Sequence, residues 1–192
     1  MNSGKNVLIV GVGGQGVLLA SEILSSVAVE AGYDAKKSEV HGMSQRGGVV
    51  SSHIRFGKKV YSPLINEGDA DVILAFEEAE ALRWIHFLKD DGVVIVNEYK
   101  LVPPIVVTEK LKYPDDPLKT ISKSVSKLIS IDAGSEAENL GNPRLVNTIL
   151  LGILSTTLPI KEEIWIDVIR KRVPKGTEEL NVKAFKKGRE FK

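Results

Sequence analysis

The amino-acid sequence predicts an α/β fold with one doubly wound, mostly parallel sheet and flanking helices. Short runs of branched apolar residues alternate with segments whose apolar residues recur at helical spacing. This alternation is typical of parallel sheets with crossover helices. A glycine-rich turn directly after the first apolar run is a second indication. At 192 residues the chain can bury one substantial core, so we expect a single domain over residues 1–192.

The first half of the chain gives the clearest pattern. The continuous apolar run at residues 7–10 is typical of a buried strand. After the turn, Leu19, Ile23 and Val27 recur at helical spacing until Gly32 ends the segment. Two strands, a further strand, a helix with one apolar face and another strand follow in order. We predict these elements at residues 5–10, 16–30, 34–40, 49–56, 71–76, 77–89 and 93–96.

Prolines interrupt the second half. The pairs and runs of proline near residues 103–104 and 114–117 allow only a short strand at residues 105–107. Farther along, Asn142 and Pro143 predict the start of a helix, with asparagine as the N-cap and proline at the first helical position. The remaining elements are a weak helix at residues 120–127, a strand at 128–131 and helices at 144–155, 160–172 and 177–187.

Composition and charge exclude several classes of protein. The net charge of +1 gives no long-range field to attract nucleic acid or an anionic membrane. The longest apolar stretch, residues 146–154, is interrupted and far shorter than the roughly 20 residues of a transmembrane helix. The first residues lack the apolar region of a signal peptide. We therefore expect no nucleic-acid partner, no membrane and a cytoplasmic location.

The sequence contains no cysteine. Thiolates normally hold iron–sulfur clusters and usually hold structural zinc. The three histidines, His41, His53 and His86, are too scattered to form a metal site. We therefore expect this chain to bind no metal and no cofactor by itself, and any redox metal to lie on another chain.

Residues 11–16 match the pattern G-x-G-x-x-G between the first strand and the first helix, as in a Rossmann-like fold. Free amides and the partial positive charge of a helix N-terminus suit an anion. The acidic residue that would bind an NAD ribose is missing, because Lys36 and Lys37 occupy that stretch. Close packing of helix and strand without a nucleotide is the alternative. The candidate anion-binding residues are Gly11, Gly13, Gly14, Gln15 and Gly16.

The segment at residues 38–48 concentrates polar chemistry among three glycines. Such a loop is costly to order and poor at filling a core, as functional loops often are. Arg46 beside two glycines is suited to clamp a carboxylate or phosphate. A satisfied polar turn or a subunit contact is the alternative. The candidate residues on the substrate or coenzyme A side, or at an interface, are His41, Ser44, Gln45, Arg46, Gly47 and Gly48.

No complete catalytic site is recognisable in the sequence. We find no nucleophile with a base and an orienting acid, and no paired-carboxylate pattern. His53 lies within a predicted strand and His86 on a predicted helix, where packed or surface histidines are more frequent than catalysts. We therefore predict no catalytic residue in this chain.

Taken together, these motifs resemble a known family, the β subunit of indolepyruvate ferredoxin oxidoreductase. More broadly they resemble the γ subunit or γ domain of pyruvate and other 2-oxoacid oxidoreductases. The resemblance is strong over the first half and looser through Asn97, Asn142 and residues 147–154. Its strongest blocks are residues 11–18, 38–48, 52–55, 61–65, 70–72, 76–77 and 80–83.

The resemblance implies a division of labour between subunits. A large partner chain would hold thiamine diphosphate and cysteine-bound [4Fe–4S] clusters, with ferredoxin as the electron acceptor and coenzyme A as the co-substrate. The absence of cysteine here fits this division. This chain would be one γ-type domain in a hetero-oligomer, inactive alone, and would help to form the substrate or coenzyme A side of the site.

Two other functions remain open at this point. The second interpretation is a free-standing dinucleotide-binding module that senses redox state or regulates. It needs a ribose-binding acid and a pocket of its own. The third is an NAD-dependent dehydrogenase, which also needs that acid. Neither the 2-oxoacid nor the stoichiometry of a complex follows from the sequence.

Overall fold

The computed structural model describes residues 4–41, 48–101 and 113–191. Within these ranges six strands form one sheet: β1 (Lys5–Val12), β2 (Asp34–His41), β3 (Val49–Gly57), β4 (Ala70–Ala75), β5 (Leu88–Asn97) and β6 (Lys127–Ile131). Their order is β2-β3-β1-β4-β5-β6. β1, β4, β5 and β6 pair in parallel, and β3 is antiparallel to both neighbours. The expected mostly parallel α/β sheet is confirmed.

Helices cover both faces of this sheet. In the described residues they are α1 (Val17–Glu30), α2 (Glu78–Trp84), α3 (Pro117–Ser124), α4 (Ala133–Asn139), α5 (Val146–Ser155), α6 (Glu162–Arg172) and α7 (Glu178–Arg189). Two short 3-10 turns, Ile85–Phe87 and Pro143–Leu145, join neighbouring elements. Within the same ranges, no helix has the length and apolar character needed to cross a membrane.

Side chains of β1 alternate between two cores. Val7 and Ile9 belong to the larger core, which includes residues of α1 and of helices α4 to α7. Leu8 and Val10 belong to a smaller core with residues of α2 and α3. All four side chains are fully buried, because successive residues of a strand point to opposite faces and both faces are covered.

β3 is inserted antiparallel between β1 and β2. Lys5 pairs with Phe56 and Val12 with Val49, so the start of β3 lies at the carboxyl end of β1. Residues 42–48 connect β2 to β3, a shorter link than the dozen or more residues of a parallel crossover. The antiparallel direction follows from that length.

The boundaries of one predicted helix differ from the structure. The helix expected over residues 77–89 ends at Trp84, and β5 begins at Leu88. A register shift between β4 and β5 takes up the additional strand residues. The expected turn at residues 91–92 is therefore part of an irregular strand.

Helix α4 does not follow from the sequence pattern. Its residues carry no apolar stripe, and Asp132 begins it by accepting a hydrogen bond from the Ser135 amide at 2.9 Å. The strand expected at residues 105–107 lies outside the described residues. The other predicted helices and strands are present, with ends moved by up to a few residues.

Helices α5 and α7 contact each other through two glycines. A Cβ at Gly152 would collide with the carbonyl oxygen of Phe185, and one at Gly188 with that of Ile149. Residues without a side chain permit this approach of two backbones. The register of α7 on α5 is thereby fixed.

Candidate functional site

A cleft of about 820 Å³ opens at the carboxyl ends of β1, β4 and β5. The chain leaves β1 towards β2 on one side, while β4, β5 and β6 lie on the other side. In doubly wound sheets, ligands bind at such a reversal of strand order. The volume is typical of a site for a cofactor-sized ligand. The glycine turn contributes Gly13, Gly14, Gln15 and Gly16 to its lining.

The glycine turn offers hydrogen-bond donors to the cleft. Gly14 and Gly16 have φ angles of 100° and 87°, which residues with a Cβ rarely adopt. α1 begins after Gly16 without a capping side chain. The amides of its first turn have no partner within the helix and carry a partial positive charge. This wall is therefore suited to an oxyanion.

The Gln15 side chain holds the turn in place. Its Oε1 accepts from the Val12 amide at 2.7 Å, and its Nε2 donates to the Phe76 carbonyl at 3.4 Å. Asn97 Nδ2 donates to the same carbonyl at 3.3 Å, while Asn97 Oδ1 accepts from the Ala133 amide at 3.0 Å. One network thus joins the ends of β1, β4 and β5 to the start of α4 and forms the floor of the cleft.

Tyr99 and Leu101 form a second wall of the cleft, and hydrogen bonds to Glu77 hold this stretch of chain in place. The Glu77 carboxylate is buried and accepts from the Glu80 amide at 2.8 Å, from the Leu101 amide at 3.1 Å and from the Tyr113 hydroxyl. Burial and the hydrogen bond to Glu77 raise the pKa of Tyr113. One carboxylate therefore ties the start of α2 to two other stretches of chain.

The third wall contains Asn147, on α5. The residue is 8% exposed, and its Oδ1 accepts from the Thr148 amide at 2.9 Å. The Thr148 hydroxyl donates to Asn181 Oδ1 on α7 at 2.8 Å. Asn147 and Asn181 both line the cleft. The sequence gives only one signal for Asn147, a polar residue in an otherwise apolar helix, and we did not expect it in the site.

Among the described residues that line the cleft, the charged ones are Arg144 and Glu138, and both are exposed. Arg144 is exposed and lines the cleft, and its guanidinium has no partner among the described residues. Glu138, also exposed, lies on the same rim. The interior donors are neutral amides. A ligand would meet charge first and uncharged donors farther in.

Gly48, the last residue of the predicted loop, contacts the glycine turn. The Gly13 amide donates to the Gly48 carbonyl at 2.8 Å. The backbone of His41 ends β2 at the same edge of the sheet, opposite Val50. Ser44, Gln45, Arg46 and Gly47 lie outside the described residues, so their roles remain predictions.

Gly11 differs from the other predicted anion-binding residues because it does not line the cleft. A Cβ there would lie 2.7 Å from Gln15 Oε1 and 2.9 Å from Phe76 Cβ. Gly11 therefore allows close packing of the turn on β4. Gly14 and Gly16, in contrast, line the cleft.

His53 is buried on β3, away from the cleft lining. Its Nδ1 accepts from the Ile65 amide at 3.2 Å, and burial lowers its pKa. Among the described residues, no group of three or more His, Asp or Glu side chains is arranged to hold a metal. The absence of a catalytic residue from this chain therefore stays a prediction.

Comparison with known proteins identifies the family. A family model described as pyruvate ferredoxin/flavodoxin oxidoreductase matches residues 6–191. Indolepyruvate oxidoreductase subunit IorB of Thermococcus kodakarensis is 43% identical over 189 residues, which cover 95% of this chain and 93% of that protein.

Two solved structures share the fold. Pyruvate oxidoreductase subunit PORC of Thermotoga maritima has a TM-score of 0.72 and 22% identity, over 99% of this chain and 97% of that one. The 2-oxoglutarate:ferredoxin oxidoreductase of Magnetococcus marinus has a TM-score of 0.75 and 18% identity, over 99% of this chain and 31% of that one. The family match and the 43% identity agree with the sequence resemblance, and this chain therefore belongs to the pyruvate ferredoxin/flavodoxin oxidoreductase family.

Proposed function

We propose that this chain is the small subunit of a ferredoxin-dependent 2-oxoacid oxidoreductase that converts indolepyruvate or another aryl pyruvate to an acyl-CoA. The observation that carries the proposal is the 43% identity, over nearly the whole length of both chains, to a protein named as a subunit of indolepyruvate oxidoreductase. The preference for an aryl pyruvate depends on that one relative. Membership in the broader oxidoreductase family also rests on the family model that matches residues 6–191.

The chemistry is assigned to a larger partner subunit in this proposal. Thiamine diphosphate there supplies decarboxylation, and [4Fe–4S] clusters there carry electrons to ferredoxin. With no cysteine, this chain lacks the usual ligands of such clusters. The assembly is then a hetero-oligomer, and we place it in the cytoplasm.

The part left to this chain is binding and positioning. The cleft combines neutral amide donors at the start of α1 with apolar side chains from Leu19, Phe76 and Leu145. This combination suits a ligand with an oxyanion and an apolar body. The Magnetococcus marinus enzyme was solved with 2-oxoglutarate, coenzyme A and succinyl-CoA bound. By analogy, we assign the cleft and the loop that ends at Gly48 to the substrate or coenzyme A side.

The position of β2 argues against an NAD-binding function. In dinucleotide-binding folds an acid at the end of the second strand binds the ribose beside the glycine turn. Here β3 separates β2 from β1, so the end of β2 is displaced by a further strand spacing of about 4.8 Å. A free-standing dinucleotide module and an NAD-dependent dehydrogenase are both less favoured for this reason.

Reconstitution tests the proposal. We expect the isolated chain to be colourless, to contain no iron and to oxidise no 2-oxoacid with a viologen dye as acceptor. Adding the large subunit should restore oxidation of indolepyruvate, and the native complex should contain a cysteine-rich partner. Stoichiometric iron on the pure chain, turnover without a partner, or a saturable NADH fluorescence response would contradict it.

A further inference from the structure

The connecting segment, residues 58–69, joins β3 to β4 without regular secondary structure. Its two ends are attached separately. The Val60 amide donates to Asp34 Oδ2 at 2.9 Å, and the Asp69 carbonyl accepts from Asn6 Nδ2 at 2.9 Å. Between these ends, Ile65 is only 4% exposed and belongs to the smaller core. The middle of the segment is therefore packed against the sheet.

The peptide group between Leu64 and Ile65 is bound on both sides by β3. Arg55 Nη1 donates to the Leu64 carbonyl at 3.1 Å, and His53 Nδ1 accepts from the Ile65 amide at 3.2 Å. His53 and Arg55 are two residues apart on one strand, so their side chains point to the same face. The two side chains thus bind the acceptor and the donor of one peptide group.

His53 can accept this hydrogen bond only while it is neutral. An imidazole that accepts at Nδ1 carries its proton on Nε2, whereas an imidazolium donates at both nitrogens and accepts at neither. Protonation therefore changes the contact with the Ile65 amide from attraction to repulsion between two donors. The bond from Arg55 to Leu64 has no such condition, because a guanidinium stays charged.

No carboxylate in the described part of the chain forms an ion pair with His53, so nothing there compensates a positive charge on its ring. Burial lowers the His53 pKa below the ordinary 6.5, and the bond to Ile65 is therefore intact at neutral pH. The elements packed around the ring carry other charged or titratable side chains: Lys36 on β2, Arg55 on β3, Glu80 and Arg83 on α2, His86 on the 3-10 turn and Glu67 on the connecting segment.

We propose that protonation of His53 releases the middle of the connecting segment from the sheet, so that the fold contains an acid-sensitive conformational switch. Ile65 then leaves the smaller core and meets solvent. The end at Val60 stays attached in mild acid, because the hydrogen bond from the Val60 amide holds the Asp34 pKa below the ordinary 3.8. Neither His53 nor the connecting segment lines the cleft, so the switch does not depend on the ligand of the cleft.

The pH range of the switch follows from the two protonation equilibria. Above pH 6.5, His53 is neutral whether the segment is closed or open, and the closed form keeps its full stability. Between 6.5 and the lower pKa of the closed form, the open form binds the proton more tightly. The equilibrium therefore shifts towards the open form by up to about tenfold per pH unit in this range. Below the pKa of the closed form, the shift is complete.

Nuclear magnetic resonance of the full-length ¹⁵N-labelled chain tests the switch without a mutation. The imidazole ¹⁵N signals follow the proton on each His53 nitrogen, and hydrogen exchange follows the Ile65 amide. Protection of Ile65 relative to an unstructured peptide should fall as His53 is protonated, with one midpoint below pH 6.5, while Val60 stays protected. Constant protection of Ile65 during His53 protonation would overturn the proposal. So would a ring that stays neutral until the whole chain unfolds.

His53→Asn separates the hydrogen bond from the titration. The asparagine carbonyl oxygen can accept from the Ile65 amide at every pH, so the protection of Ile65 should no longer depend on pH in this range. His86→Asn is the matched control, because it removes the histidine that contacts the same segment through Glu67 at 3.7 Å. It should keep the pH dependence of the wild type. An unchanged dependence in His53→Asn, or its loss in His86→Asn, would overturn the proposal.

Glu80 is the competing group, because burial raises its pKa. Glu80→Gln keeps the shape of the side chain and removes its titration. The protection of Ile65 should still fall with pH in this variant, and loss of the pH dependence would overturn the assignment to His53. Thermal melting at neutral pH accompanies each variant. If His53→Asn does not fold, the wild-type titration and the Glu80 and His86 variants decide.

Discussion

At the amino ends of the central strands, charged side chains neutralise one another, whereas at the carboxyl ends neutral donors remain without a partner. Asp71 accepts from Lys5 Nζ at 2.9 Å and from the Asn6 amide at 2.8 Å, and it lies 2.5 Å from Lys89 Nζ. Asn147 Nδ2, at the other end, has no partner in the described structure. Ion pairs satisfy the charged groups at the amino ends of the strands, whereas the donors at the carboxyl ends are available to a ligand.

This difference shows how one sheet can separate stability from binding. The paired charges stabilise the start of β1, β4 and β5 and offer nothing to a ligand. The donors at the carboxyl ends line the cleft, where solvent or a ligand can satisfy them. Substitutions at the two ends should therefore change different measured quantities.

The largest effect is expected from Arg46→Ala, in the loop that ends beside the glycine turn. Loss of a charge-assisted bidentate contact to an anion would be worth roughly 2 to 4 kcal/mol, or about 30- to 1000-fold in the affected rate or affinity. Steady-state kinetics of the assembled enzyme measure it, with the exposed-site variant Arg83→Ala as a control.

Melting temperature and co-purification with the partner accompany the Arg46→Ala kinetics. The chain should stay folded and assembled. Near-normal activity, or a loss explained by failed folding or assembly, would mean that the loop is scaffold or interface.

Asp71→Ala should have the next largest effect, and on stability alone. It leaves Lys5 and the Asn6 amide without their acceptor and leaves Lys89 with the exposed Asp91 at 3.4 Å, so the free energy of unfolding should fall by about 2 to 3 kcal/mol. Urea denaturation measures it. Asp91→Ala removes another carboxylate beside Lys89, but Asp91 is 84% exposed and should change stability by less than about 0.5 kcal/mol.

The Asp71 contribution should depend on pH. Burial alone would raise the Asp71 pKa, but hydrogen bonds from Lys89, the Asn6 amide and Lys5 outweigh it and lower the pKa below the ordinary 3.8. The stabilisation is therefore fully present well above pH 3.8 and is lost as pH falls through the folded-state value. Wild type and Asp71→Ala should converge in acid. A difference that stays constant with pH would contradict an ionic origin.

The smallest effect is expected at Glu77, which lies at the carboxyl edge but has all its partners inside the fold. Glu77→Gln places an amide among three donors and should lower the free energy of unfolding by about 1 to 2 kcal/mol. Tyr113→Phe removes one of these bonds and should cost about 1 kcal/mol. Tyr61→Phe, at a residue 88% exposed, is the matched control. If the two tyrosine variants melt alike, Glu77 does not anchor Tyr113.

The sequence predicts the strands well because their apolar runs are local. The run at residues 7–10 needs no tertiary information to indicate a buried strand. Helix α4 escapes prediction because its polar sequence is stabilised by the Asp132 cap and by its place on the sheet. The early start of β5 at Leu88 depends on pairing with β4, which no local pattern encodes.

The candidate site divides in the same way. The glycine turn can be predicted from the sequence because the spacing of its glycines is a recognisable local pattern. The position of Asn147 at the cleft cannot be predicted from the sequence, because it depends on how α5 packs against Gly16, which has no Cβ. Gln15 is a mixed case: its position at the turn is predictable, whereas its bonds to Val12 and Phe76 depend on where β4 ends.

The glycine contact between α5 and α7 makes the tail of the chain part of the recognition architecture. Gly152 and Gly188 set the register of the two helices, and that register brings Asn181 to Thr148 at 2.8 Å. The segment most distant in sequence from the glycine turn thus supports the wall that faces it. A fragment ending before α7 would keep the whole glycine motif and lose the scaffold of its opposite side.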